Sequence, residues 1–144
     1  FPEDSVEAGR PAGKVQHVGL AMNVEANIVH PLVGWSADHP KCNITRQVFA
    51  TTGACLLIRR NLYRKIGGFD EAYGLGTYED VDLCCAVRKM GKMVLVNTDI
   101  IGYHHVGATV KTKKEGFPLL QNLNIFRAKW QSAGVFGYDS WTYY

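Results

Sequence analysis

The chain has 144 residues, enough for one domain that buries about two thirds of its unfolded surface. With 47% hydrophobic and 20% charged residues it reads as ordinary globular material, which excludes disordered and fibrous classes. No apolar run nears the ~20 residues a bilayer-crossing helix needs. The net charge of +3 includes no run of about five like charges, which argues against nucleic acid as a partner.

Residues 1–13 read as a flexible lead-in, because Pro2, Gly9, Pro11 and Gly13 break any period. This stretch is acidic and lacks an apolar h-region, so no signal peptide is expected and a cytoplasmic location is the default. Lys14 to Asn23 alternates as a strand, with Val15, His17, Gly19 and Ala21 on one side and Gln16, Val18, Leu20 and Met22 on the other. Asn23 to Asn27 turns the chain, and Ile28 to Leu32 returns as a hairpin partner. Gly34 to Lys41 lacks periodicity and holds Trp35, Asp38, His39 and Pro40, a loop with the aromatic and polar reach to touch a ligand or to cover a core edge.

Arg46 to Arg60 reads as strand, small-residue break, strand: Val48 and Ala50 are apolar, Thr51, Thr52, Gly53 and Ala54 leave room for close approach to the backbone, and Cys55 to Ile58 resumes. Asn61 is placed to cap a short helix, Leu62 to Ile66, which Gly67 and Gly68 end. The loop from Gly67 to Tyr78 leads into a helix from about Tyr78 to Met90 whose apolar face is Leu83, Val87 and Met90. Thr77 and Asp80 fit the Ser/Thr-x-x-acid capping pattern. Partial positive charge at that helix start would hold Glu79 and Asp80 ionised. Lys92 to Asn97 and Ile100 to His105 are compact apolar strands around a turn at Thr98-Asp99. After a loop carrying Lys111, Lys113 and Lys114, Leu119 to Trp130 has helical spacing, and residues 132–144 form an aromatic tail.

Cys42, Cys55, Cys84 and Cys85 show no C-x-x-C spacing and read as buried reduced thiols. Asn43-Ile44-Thr45 matches the glycosylation sequon, which without a secretory signal is coincidental. Asp80 is the leading general-base candidate, with dipole compensation as its plain structural alternative. A histidine at the end of an apolar strand, His104 or His105, is a metal ligand only with carboxylate partners and a core residue otherwise.

TGACLLIRR (Thr52 to Arg60), GGFDEAYGLGTYEDVDLC (Gly67 to Cys84), MVLVN and YHHVGAT (Tyr103 to Thr109) occur in an order that resembles the C-terminal half of a family 2 glycosyltransferase of the GT-A fold, over about Val15 to Trp130. The resemblance implies an α/β fold for residues 14–131, a mixed and largely antiparallel sheet with two to three helices. It implies transfer of a sugar from a UDP- or GDP-sugar to an acceptor hydroxyl with inversion. It assigns the catalytic base to Asp80 with Glu79 beside it, and the substrate pocket to Thr52, Gly53 and Ala54, to which the Trp35 loop is added. His104, and after it His105, matches a position that helps to bind a divalent ion or diphosphate, and Lys113 falls in a loop that closes over the diphosphate.

The family's Asp-x-Asp half has no counterpart within these residues. Asp80-Val81-Asp82 has its letters, but side chains two apart on a helix diverge by about 200°. The chain is therefore expected to be incomplete and inactive alone, with Mn or Mg bound only once a donor-binding half completes it. Its partners would be a nucleotide-sugar, a glycan or other hydroxyl acceptor, and a second copy or complementing chain covering the open sheet edge. The alternative is a non-catalytic sugar-binding or protein-interaction module of the same descent.

Overall fold

Residues 18–22 are all buried, and the strand expected over Lys14 to Asn23 is reduced to Ala21–Met22, flanked by isolated bridges at Lys14 and Leu20. The computed structural model describes residues 13–23, 27–104, 118–131 and 133. Strand β1 (Ala21–Met22) pairs antiparallel with β2 (Ile28–Val29), Ala21 opposite Val29 and Met22 opposite Ile28. Strand β3 (Arg46–Val48) pairs antiparallel with β4 (Val94–Val96), Gln47 opposite Leu95. Leu20 and Ala50 exchange backbone hydrogen bonds of 2.8 and 3.3 Å, and this bridge links the two strand pairs. Three helices complete a mixed α/β fold: α1 (Arg60–Ile66), α2 (Glu79–Lys89) and α3 (Leu119–Trp130). Among the described residues no helix is long and apolar enough to cross a membrane.

Helix α2 is the hub. Val81 to Cys85 and Val87 are buried, so the helix is covered on most sides instead of along one stripe. It packs with Phe49, Val94, Phe126 and Trp130 in one cluster. The expected helix ends hold to within a residue, but Met90 lies past the helix and is exposed. The thiols of Cys42, Cys84 and Cys85 are buried and reduced as expected, whereas Cys55 is exposed.

Several local expectations are corrected. Cys55 to Ile58 forms no strand; Gly53–Cys55 winds into a 3-10 turn capped by Thr52, whose Oγ1 accepts from the Ala54 N–H at 3.3 Å. Helix α1 begins at Arg60, with Arg59 and not Asn61 at its cap position. Residues 100–104 are extended but unpaired among the described residues, so the strand expected at Ile100 to His105 is absent there. Gly67 does end α1: at φ 88° it takes the left-handed conformation that favours glycine, with Gly67 and Gly68 N–H groups returning to Arg64 and Tyr63 carbonyls.

The capping box of Thr77 and Asp80 does not form. Thr77 and Tyr78 both adopt positive φ, 74° and 70°, a conformation costing about 1–3 kcal/mol for a non-glycine residue. The compensation comes from α3. Asn122, 1% exposed, spreads the two hydrogens of its Nδ2 over Tyr73 O (2.9 Å), Gly76 O (2.7 Å), Thr77 O (3.0 Å) and Thr77 Oγ1 (3.1 Å). The Thr77 hydroxyl thus serves Asn122 and not the helix end. Replacing Asn122 with Leu strands buried acceptors that cost roughly 1–3 kcal/mol when unpaired, and the urea unfolding midpoint of Asn122→Leu is expected to fall by that equivalent; an unchanged midpoint would remove the clamp.

Candidate functional site

The strained turn delivers Asp80 to the surface. Its Oδ2 accepts the Gly53 N–H at 2.9 Å and its Oδ1 accepts its neighbour Val81's N–H at 2.8 Å. A Cβ on Gly53 would lie 3.5 Å from Asp80 Cβ and 3.9 Å from Oδ2, at ordinary van der Waals contact. The structure therefore brings Gly53 and Asp80 into contact, with Thr52 adjacent in the chain.

Residues 51–53 are held from behind. The Thr51 N–H donates to Cys84 Sγ at 3.5 Å. His17 Nε2 lies 3.0 Å from Thr51 Oγ1 and accepts the Thr52 N–H at 3.4 Å. Since Nε2 is the acceptor, the neutral ring carries its proton on Nδ1, and that buried atom has no partner. Burial, then the nearby His30, lowers the His17 pKa to about 4. The His17 and His30 rings pack edge to face at 6.0 Å. Desolvation lowers the His30 pKa too, and the Asp80 charge offsets part of that. Neither histidine was singled out from sequence; the available signal was a polar ring inside an otherwise apolar alternating strand.

Glu79 sits beside Asp80 at the start of α2. Its Oε2 is buried without a hydrogen-bond partner among the described residues, and burial, joined by the Asp80 charge, pushes its pKa up against a bond from its own backbone. Asp82, 3% exposed, is a structural anchor. It accepts from Tyr73 Oη (3.0 Å), Trp130 Nε1 (2.6 Å) and Lys129 Nζ (2.9 Å). Lys129 also binds Asp70 at 2.6 Å, and that bond, with the Ala72 N–H, holds the Asp70 carboxyl below its ordinary range. Asp80 and Asp82 thus point to different surroundings, and Asp80-Val81-Asp82 does not form a two-carboxylate ion site.

The remaining candidates scatter. Ala54 is exposed at the 3-10 turn. Trp35 is exposed and stacks edge-on against His39 at 4.6 Å, a contact that fits the loop's edge-covering role. His104 is exposed, and its Nδ1 lies 3.0 Å from Gln16 Nε2, one residue from His17. His105 and Lys113 lie outside the described residues. Among the described residues no three His, Cys, Asp or Glu side chains converge on a metal position.

Beside Gly53 opens a groove of about 280 Å³ lined by Gly53, Leu56, Ile58, Arg60, Tyr63 and Phe69. Tyr63 and Phe69 meet edge to face at 6.0 Å, and the Phe69 N–H donates to Tyr63 Oη at 3.4 Å. Gly68, at φ 78°, lets the backbone pass the Tyr63 ring where a Cβ would sit only 3.0 Å away.

No family model matches the chain, and no solved structure matches it. It is 27% identical over 103 residues to an uncharacterized protein, y4gI, of Sinorhizobium fredii, and 28% identical over 106 residues to the O-antigen biosynthesis protein RfbC of Myxococcus xanthus. Each match takes in 69% of this chain, which spans only 11% and 8% of those relatives.

The neutral state of His17 makes stability pH-dependent. The unfolded ring takes up a proton near pH 6.5 and the folded ring near 4, so the contribution is complete above pH 6.5 and is lost as pH falls toward 4, at most about 3 kcal/mol. Glu79 acts in the opposite sense, its contribution fading as pH rises. Chemical unfolding of wild type and His17→Gln from pH 7 to pH 4 is expected to show the steeper loss in wild type; parallel curves would contradict a buried neutral His17.

Proposed function

We propose that this chain is the acceptor-side, catalytic half of an inverting glycosyltransferase of the GT-A kind, working in the cytoplasm on a nucleotide-activated sugar. The observation that carries the reading is Asp80, fixed by the Gly53 N–H at 2.9 Å on a loop that opens onto the aromatic-lined groove. The ordered sequence blocks around it and the likeness to an O-antigen biosynthesis protein support the sugar class.

In this reading an acceptor hydroxyl lies against Asp80. Its oxygen attacks the anomeric carbon as the bond from that carbon to the diphosphate breaks, and the hydroxyl proton passes to the free lone pairs of Asp80. One positioned base contributes typically ~10²–10⁴-fold. Glu79, beside Asp80 at the helix start, contacts or supports the acceptor. Thr52 and Gly53 line the approach to Asp80, and His17 holds residues 51 and 52 from behind.

Donor binding belongs to a complementary half that brings the diphosphate contacts and Mn or Mg, with His104 and Lys113 as this chain's contributions toward the diphosphate. Met93, Leu95, Ile100 and Ile101 are exposed apolar residues before, on and after β4, and such a surface fits coverage by further polypeptide.

The chain alone is expected to release no UDP or GDP from nucleotide-sugars. Joined to a donor-binding half it is expected to transfer sugar, and Asp80→Asn is expected to lower turnover by ~10²-fold or more with an unfolding midpoint near that of wild type. Turnover unchanged in Asp80→Asn would remove the base assignment, and sugar binding without transfer in the completed protein would leave the binding-module reading.

A further inference from the structure

The groove beside Asp80 differs from a generic sugar pocket in its charge. Its floor is apolar, from Leu56 and Ile58, and its wall is the Tyr63–Phe69 ring pair, Phe69 being 41% exposed. A face of this kind suits the C–H side of a sugar ring. The far wall is Arg60. Arg60 belongs to a cationic set, Arg59, Arg60, Arg64 and Lys65, at and within α1, a helix with no acidic residue in its first turn. Arg64 lines the adjoining surface recess, on the other side of the same ring pair, together with Glu71. Arg60 puts a cation in the groove lining, with the nearby carboxylates being Glu71 in the adjoining recess and Asp80 beside Gly53, and its local field attracts anions. At Arg60 the planar guanidinium presents paired donors that fit carboxylate or phosphate oxygens.

Resting on the acceptor-side reading above, we propose that this groove binds an anionic saccharide acceptor: the sugar ring packs on Tyr63 and Phe69 with its reacting hydroxyl toward Asp80, and a carboxylate or phosphate group on the acceptor pairs with Arg60. The site selects acceptors by charge at the end remote from the bond being made. Asp80 repels an anion placed beside it, so a bound acidic sugar orients with its charge at Arg60 and its neutral hydroxyl at the base. One groove thereby sets both identity and direction of the acceptor.

The groove can be tested by binding, which does not depend on transfer. The chain is titrated with methyl glucuronoside, glucose 1-phosphate and neutral methyl glucoside while the backbone amide NMR signals of Gly53, Tyr63 and Phe69 are followed. An anionic sugar is expected to shift these signals at about tenfold lower concentration than the neutral one, and whichever of the two binds more tightly names the anion. The preference is expected to weaken at high salt, to vanish in Arg60→Gln, and to return in part in Arg60→Lys, whose exposed position leaves folding intact. Equal binding of neutral and anionic sugars, or an unchanged preference in Arg60→Gln, would overturn the proposal. So would sedimentation with anionic lipid vesicles, abolished by changing the fully exposed Leu57 to Asp, in the absence of any sugar-induced shift. Loss of catalysis in Asp80→Asn with the binding preference retained separates the groove from the base assignment.

Discussion

The arrangement depends on one buried amide. Asn122 holds three carbonyls and a hydroxyl of the loop between Tyr73 and Thr77, and that loop could not otherwise keep two consecutive non-glycine residues in left-handed conformation. A β-branched threonine at φ 74° is disfavoured unless its surroundings over-determine it. What the strain achieves is direction: the chain reverses within Thr77 and Tyr78 and starts α2 with Asp80 facing residues 51–53. A relaxed entry with a conventional cap would rotate the first turn. The clamp comes from α3, so a helix remote in sequence sets the aim of the base candidate.

Two carboxylates two residues apart divide the labour. Asp82 is buried beneath Tyr73, Trp130 and Lys129 and ties the 3-10 turn at Glu71–Tyr73, α2 and α3 together. Burying a carboxylate is costly unless its lone pairs are used, and here three donors use them. Asp80 faces the other way and spends two contacts on backbone N–H groups, which leaves lone pairs for a substrate. Burial raises the Tyr73 pKa far above the ordinary phenol range, with the Asp82 charge adding to it, so the phenol stays a donor and the anchor stays whole.

Much of this could be read from the sequence because it rests on local rules. The apolar spacing of Leu83 and Val87, Gly91 beyond the helix, and Gly67 after Ile66 set helix ends with little help from tertiary contacts. The alternation of Val18, Leu20 and Met22 located the first strand but not its extent: it spans Ala21–Met22, and both of its faces are buried. The pattern failed where contacts distant in sequence decide. Thr77 and Asp80 carry the letters of a capping box, but Asn122 takes the threonine. Ile100 to Tyr103 carry the letters of a strand, yet no described neighbour pairs with them. His17 and His30 become part of the site only because β1 and β2 fold beside residues 51 and 52, a neighbourhood no spacing encodes. The same holds for Tyr63 and Phe69, which form a wall because Gly68 allows the chain to pass close over a ring.

The site's asymmetry bears on how it would work. On one side stand an aromatic wall, a cation and an oriented carboxylate, the equipment for gripping a neutral hydroxyl on a charged molecule. On the other side, burial pushes the Glu79 pKa up and lowers that of His17 to about 4. That contrast has a single physical cause. Burial disfavours charge on Glu79 and on His17 alike.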